Sequence, residues 1–203
     1  PVISLAFKTN PVAFATTSDN KLIRFNPMNG SSSQADLLGL ESNEMIVGLD
    51  FRPAKGMLYA ITNKSRLLTI NTSNGQTTAI GATLTPALSG TTFGFDFNPT
   101  VDRIRLVSNN GQNLRLHPDL GTVAATDGTL NPGAPNITGA AYTNNTASAT
   151  STLLYVVDSE TNMLYTQTPP NDGVLVSVGA LGINIEADNG FDIGGTSNSA
   201  FGL

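Results

Sequence analysis

A four-residue signature that returns at a near-constant interval constrains this chain more than any other feature. Gly48-Leu49-Asp50-Phe51 and Gly94-Phe95-Asp96-Phe97 share a Gly-x-Asp-Phe pattern, and each runs on into a proline, Pro53 or Pro99. Gly139-Ala140-Ala141-Tyr142 stands where the next copy is due, and Gly190-Phe191-Asp192-Ile193 follows it. By subtraction the glycines are 46, 45 and 51 residues apart. A period of this size marks a repeat architecture, in which one supersecondary unit buries its apolar face only against its neighbours.

Each interval has four beats. After the Gly-x-Asp strand comes an apolar strand: Met57-Leu58-Tyr59-Ala60, Arg103-Ile104-Arg105-Leu106 and Leu153-Leu154-Tyr155-Val156. The third beat ends in a turn, as in Lys21-Leu22-Ile23-Arg24-Phe25-Asn26-Pro27, Arg66-Leu67-Leu68-Thr69-Ile70-Asn71-Thr72 and Gln112-Asn113-Leu114-Arg115-Leu116-His117-Pro118. Asn162-Met163-Leu164-Tyr165-Thr166 is a fainter copy, and Gly30, Gly75, Gly121 and Gly173 close the turns. Thr77-Thr78-Ala79-Ile80 and Val176-Ser177-Val178 supply the fourth beat. Alternation and β-branched residues mark all of these as strands.

Four strands in about 45 residues is the unit of a propeller blade. Ser4-Leu5-Ala6-Phe7 and Val12-Ala13-Phe14-Ala15 fit the first two beats of an earlier copy. The expectation is an all-β β-propeller of about five blades, spanning 1–43, 44–89, 90–134, 135–184 and a partial 185–203. The last blade has a first strand at Gly190 and a second at Ser199-Ala200-Phe201-Gly202-Leu203, and lacks the other two. A two-sheet sandwich competes, but it does not call for successive copies of one hairpin order.

Charge is sparse and unevenly placed. The net charge of −5 disfavours nucleic acid as a partner. All ten Lys and Arg lie between Lys8 and Arg115, where seven acids leave +3; residues 116–203 hold eight acids and no base, hence −8. Such polarity is a clue to interaction. With no Cys, disulfides and thiolate chemistry are excluded, and no apolar run reaches the roughly 20 residues of a membrane span. A start at Pro1 fits a removed leader or a trimmed end.

Phe93-Gly94-Phe95-Asp96-Phe97-Asn98-Pro99, with Asp102-Arg103-Ile104-Arg105 and Gly111-Gln112-Asn113-Leu114-Arg115-Leu116, resembles a bacterial family known as domain of unknown function 4394. Gly48-Leu49-Asp50-Phe51-Arg52-Pro53, Ala140-Ala141-Tyr142-Thr143-Asn144-Asn145 and Pro169-Pro170-Asn171-Asp172-Gly173 extend the resemblance along nearly the whole chain. It implies exported or cell-surface propeller-like proteins, and carries over no catalytic residue. Members of the family continue into another strand pair after the position of Leu203, so the resemblance points to truncation or to completion by a partner.

Few residues suggest chemistry. Asp50, Asp96 and Asp192 share one repeat position, facing the central channel of a propeller, where convergent carboxylates suit a hard cation such as Ca2+. The competing reading is that each accepts hydrogen bonds within its own blade, from a repeat arginine for instance; Ala6 and Ala141 fill the position in the other two blades. His117, the one histidine, replaces Asn26 and Asn71 of other copies and reads as a turn residue, which leaves no His-based triad or metal cluster. Asp102, Arg103 and Arg105 read as a structural ion pair, and Glu186-Ala187-Asp188-Asn189 as an ordinary loop without EF-hand spacing.

The missing half-blade leaves Ala200, Phe201, Gly202 and Leu203 as an open strand edge, and open edges template pairing. The leading expectation is therefore a non-enzymatic structural subunit of an extracellular filament or cell-surface assembly. It would self-associate into a homopolymer by head-to-tail and strand-edge contacts. A monomeric extracellular module binding a glycan or surface protein is the alternative, and a metal-dependent hydrolase comes third, on a chain with only four Glu.

Overall fold

The computed structural model describes residues 2–9 and 12–203, with the side chains of residues 2, 3 and 6–9 left undescribed. The channel-facing role expected of Ala6 and the reading of Pro1 lie outside the described residues. Four antiparallel sheets follow one another along the chain. The first holds β1 (Val2–Thr9), β2 (Val12–Thr17), β3 (Lys21–Phe25) and β4 (Ser32–Asp36). The second holds β5 (Ile46–Arg52), β6 (Met57–Thr62), β7 (Leu67–Ile70) and β8 (Thr77–Ile80). The third holds β9 (Phe93–Asn98), β10 (Arg103–Ser108), β11 (Asn113–His117) and β12 (Thr122–Thr126). The fourth holds β13 (Ile137–Tyr142), β14 (Leu154–Asp158), β15 (Met163–Gln167) and β16 (Leu175–Ala180). Among the described residues, a fifth sheet has only β17 (Phe191–Ile193) and β18 (Ala200–Gly202). The fold is all-β: four complete propeller blades and an incomplete fifth.

Strand composition follows position in the blade. Inner strand β13 is buried at every residue, and outer strand β4, Ser-Ser-Gln-Ala-Asp, is almost wholly exposed. Each inner strand lies beside the next, and β17 lies beside β1, so the ring closes. The repeat glycine permits that closeness. A Cβ on Gly94 would sit 2.6 Å from the Cβ and backbone nitrogen of Ala140 in the next blade. One on Gly190 would sit 2.5 Å from the Cβ of Leu5, across the seam between last and first blades. Any side chain there would force the inner strands apart.

The apolar core is divided among the blade interfaces. Phe14 and Leu22 pack with Leu49 and Phe51 between blades one and two, and Phe14 meets Phe51 edge-on at 5.5 Å. Tyr59 and Ile61 pack with Phe97 and Ile104 between blades two and three, where Tyr59 meets Phe97 at 5.1 Å. Leu5 and Ala13 take Phe25 and Phe201 at the closing seam, the smallest of these clusters. Burying such faces pairwise is what makes the repeats interdependent. Among the described residues no helix is long and apolar enough to cross a membrane.

Candidate functional site

Two residues after the repeat glycine, each inner strand points the same way again. On β5, β9 and β17 that position is Asp50, Asp96 and Asp192, exposed by only 1, 1 and 2%. One carboxylate oxygen from each lies within 4.8 Å of the others. The structure therefore brings together all three acids that the repeat singles out. On β13 the buried Ala141 holds the same place.

Their hydrogen bonds meet the competing expectation only in part. The Phe51 N–H of its own strand donates to Asp50 at 2.6 Å, but the second donor is the Phe97 N–H of the next blade, at 2.8 Å. Asp96 likewise accepts from the Tyr142 N–H of the following blade, at 3.1 Å. Ile193 N–H donates to Asp192 at 2.6 Å. Asp50 and Asp96 thus clasp adjacent blades through backbone amides, and no repeat arginine is the donor in these bonds.

Electrostatics are unfavourable to three negative charges. Burial pushes the Asp50 carboxyl up to about 7, against the opposing pull of the Phe97 and Phe51 amides and the Asn145 side chain. Burial also drives Asp96 well above the usual carboxylate range, and repulsion from Asp50 and Asp192 adds to it. Carboxylates that cannot all ionise must share protons or a cation.

Each end of the channel carries an unmatched oxygen. Asn145 sits in the connection between β13 and β14, interacts with Asp50 and has a buried Oδ1 without a partner. At the other mouth, a cavity of about 150 Å³ is lined by Ser18, Met45, Thr92, Phe93, Thr138 and Asn189 among others. Asn189 is 7% exposed; its Nδ2 donates to Thr138 Oγ1 at 2.7 Å and to Glu186 O at 2.8 Å, while its Oδ1 is unmatched. That oxygen stands 3.3 Å from where a Cβ on Gly139 would lie, in the gap between β13 and β17. The side chains of Glu186 and Asp188 are exposed.

The second candidate feature is the open edge. Gly190 and Leu203 exchange both backbone bonds, so Phe201 is the next residue to face β17, opposite Asp192. The N–H and C=O groups of Ala200 and Gly202 therefore point away from β17. No third strand pairs with β18 among the described residues. Beside it runs a groove of about 500 Å³, lined by Val157, Leu181, Ile183, Ile185, Phe201 and Leu203 among others.

The ion-pair reading keeps its kind but changes its partners, and the turn reading of His117 holds. Asp102, Arg103 and Arg105 do not pair with one another through their side chains. Asp102 takes the buried Arg52 guanidinium of the preceding blade, which also bonds Asp119 at 2.6 Å and Tyr59 Oη at 3.1 Å. Arg105 pairs instead with Asp127 at 2.6 Å, and Arg103 Nη1 donates to the Asp102 carbonyl. His117 ends β11, and its Nδ1 accepts from the Asp119 N–H at 3.3 Å. Asn26 and Asn71 receive the same i+2 amide, so imidazole and carboxamide are interchangeable in this turn. The sequence reading missed Asn145 and the channel-lining role of Asn189; the only signal for Asn145 was the long β13–β14 connection.

The model of the family called domain of unknown function (DUF4394) matches residues 21–203. The chain belongs to that family. No curated protein sequence matches it. Among solved structures, the glutaminyl cyclase of Myxococcus xanthus superposes with a TM-score of 0.64 at 16% identity, covering 98% of this chain and 84% of that one. Apo AztD from Citrobacter koseri superposes with a TM-score of 0.51 at 11% identity, covering 90% of this chain and 49% of its own. At such identities the likeness is one of fold.

Proposed function

We propose that this family member is a structural subunit of an extracellular or cell-surface assembly, joined to further copies of itself through the open fifth blade. The observation that carries the reading is the outward row of backbone groups at Ala200 and Gly202, beside an apolar groove. Ile183 and Leu203 there are 67% and 53% exposed. Edges of this kind add strands from other chains.

Charge supports a second copy as the occupant. The acidic residues 116–203 make up blades four and five and the outer strand of blade three, and the bases all lie before them. An acidic sector of one copy meeting the basic sector of the next is a heterologous contact, and such contacts propagate. The reading is non-enzymatic: two of the three channel acids hold adjacent blades together.

Sedimentation velocity and negative-stain microscopy across a concentration series test this. Wild type is expected to associate, more strongly at roughly 20 mM than at 300 mM salt. Ala200→Pro removes one outward N–H from the edge and is expected to stay monomeric with an unchanged circular dichroism spectrum. A wild type that is monomeric at high concentration in low salt overturns the proposal.

A further inference from the structure

We infer that the central channel is a binding site for one hard divalent cation of the Ca2+ class, held by Asp50, Asp96 and Asp192. Three carboxylate oxygens within 4.8 Å of one another fit around a single ion, since Ca2+ bonds its oxygen ligands at about 2.3–2.6 Å. The three acids come from three different blades and are almost fully buried, so water does little to damp their repulsion. The backbone amides that reach them are partial charges and leave the net negative charge in place.

An orphan oxygen is a separate sign. The side chain of Asn145 interacts with Asp50, and its buried Oδ1 has no partner. Buried acceptors without partners are costly, and a cation in the channel offsets that cost along with the carboxylate repulsion. The donor set is all oxygen, with no imidazole or thiolate, which selects a hard ion over zinc or copper. Carboxylates from separate blades have the adaptable spacing that suits Ca2+ better than the strict octahedron of Mg2+. The bound ion would tie the two-stranded fifth blade to blades two and three.

The test is calorimetry and thermal unfolding of chelator-treated protein with CaCl2, and with MgCl2 as comparison. One Ca2+ per chain and a rise in Tm of about 5–10 °C are expected, with little response to Mg2+. Asp96→Asn is expected to fold and to lose the binding heat. If it does not fold, Asp192→Asn takes its place, with the same loss of binding heat expected. No Ca2+ heat, or an equal response from wild type and the folded Asn variant, would each overturn the inference. The open edge of blade five takes no part in this result, so the assembly proposal stands or falls separately.

Discussion

At the scale of single residues, the repeat aspartates show how one side chain serves two purposes. Asp50 and Asp96 each fasten an inner strand to the next blade through a backbone amide. That fastening places their carboxyls where burial raises them above the ordinary range. A carboxyl that holds its proton more tightly in the folded chain than in the unfolded one stabilises the fold in acid. That contribution fades as the pH climbs from the unfolded value, near 4, through the folded one, about 7 for Asp50. In chelator-treated protein, the urea midpoint should therefore fall between pH 5.5 and pH 8. Asp96→Asn should flatten that fall and exceed wild type at pH 8 by more than about 1 kcal/mol. A midpoint that rises with pH over this range would contradict the assignment. Asp119 has the opposite sign: Arg52 and Lys55 hold it below the usual carboxylate range. Its contribution is lost only in stronger acid, outside the window measured.

At the scale of strands, the glycine that opens each Gly-x-Asp motif sets the distance between blades. Gly94→Ala places a methyl group 2.6 Å from the backbone nitrogen of Ala140, an atom held in a sheet that cannot swing away. We expect a loss of roughly 1–3 kcal/mol, read as a lower urea midpoint with an unchanged slope. An Ala variant as stable as wild type would mean that β9 and β13 have room to separate. This spacing was legible in the sequence because it repeats: the glycine is written in four of the five blades, at Gly48, Gly94, Gly139 and Gly190, with the small Ser4 in the first. Strand order was legible for the same reason. The cross-blade partners were not. Asp50 bonds an amide 47 positions away, and Arg52 bonds Asp102 and Asp119 at separations of 50 and 67. Short-range charge patterning instead grouped Asp102 with Arg103 and Arg105, its neighbours in sequence. Asp102 has a positive φ of 51°, and its carboxylate reaches back to the preceding blade. Asn145 and Asn189 carry no repeat signal, and their place in the channel follows only from ring closure.

At the scale of the whole molecule, stability is a sum over interfaces, and the interfaces are unequal. The contact between blades two and three combines Phe95, Phe97, Leu106 and Leu114 with many others in one buried cluster. The seam between blades five and one has Leu5 and Ala13 buried, with Phe25 and Phe201 packed against them. Among the described residues, blade five also has half the strands of its neighbours. In a ring of nearest-neighbour units, opening begins at the weakest interface. Native-state hydrogen exchange should therefore show the amides of β17 and β18 exchanging well before those of β9, β10 and β11. Gly190→Ala pushes a methyl group to 2.5 Å from Leu5 at the seam itself. It should accelerate exchange in β1 and β17 at least tenfold, equivalent to about 1.4 kcal/mol of local opening, and leave β9 to β11 near the wild-type rate. Equal acceleration in every strand would instead show that the five blades unfold as one unit, with closure of the ring distributing the strain to all of them.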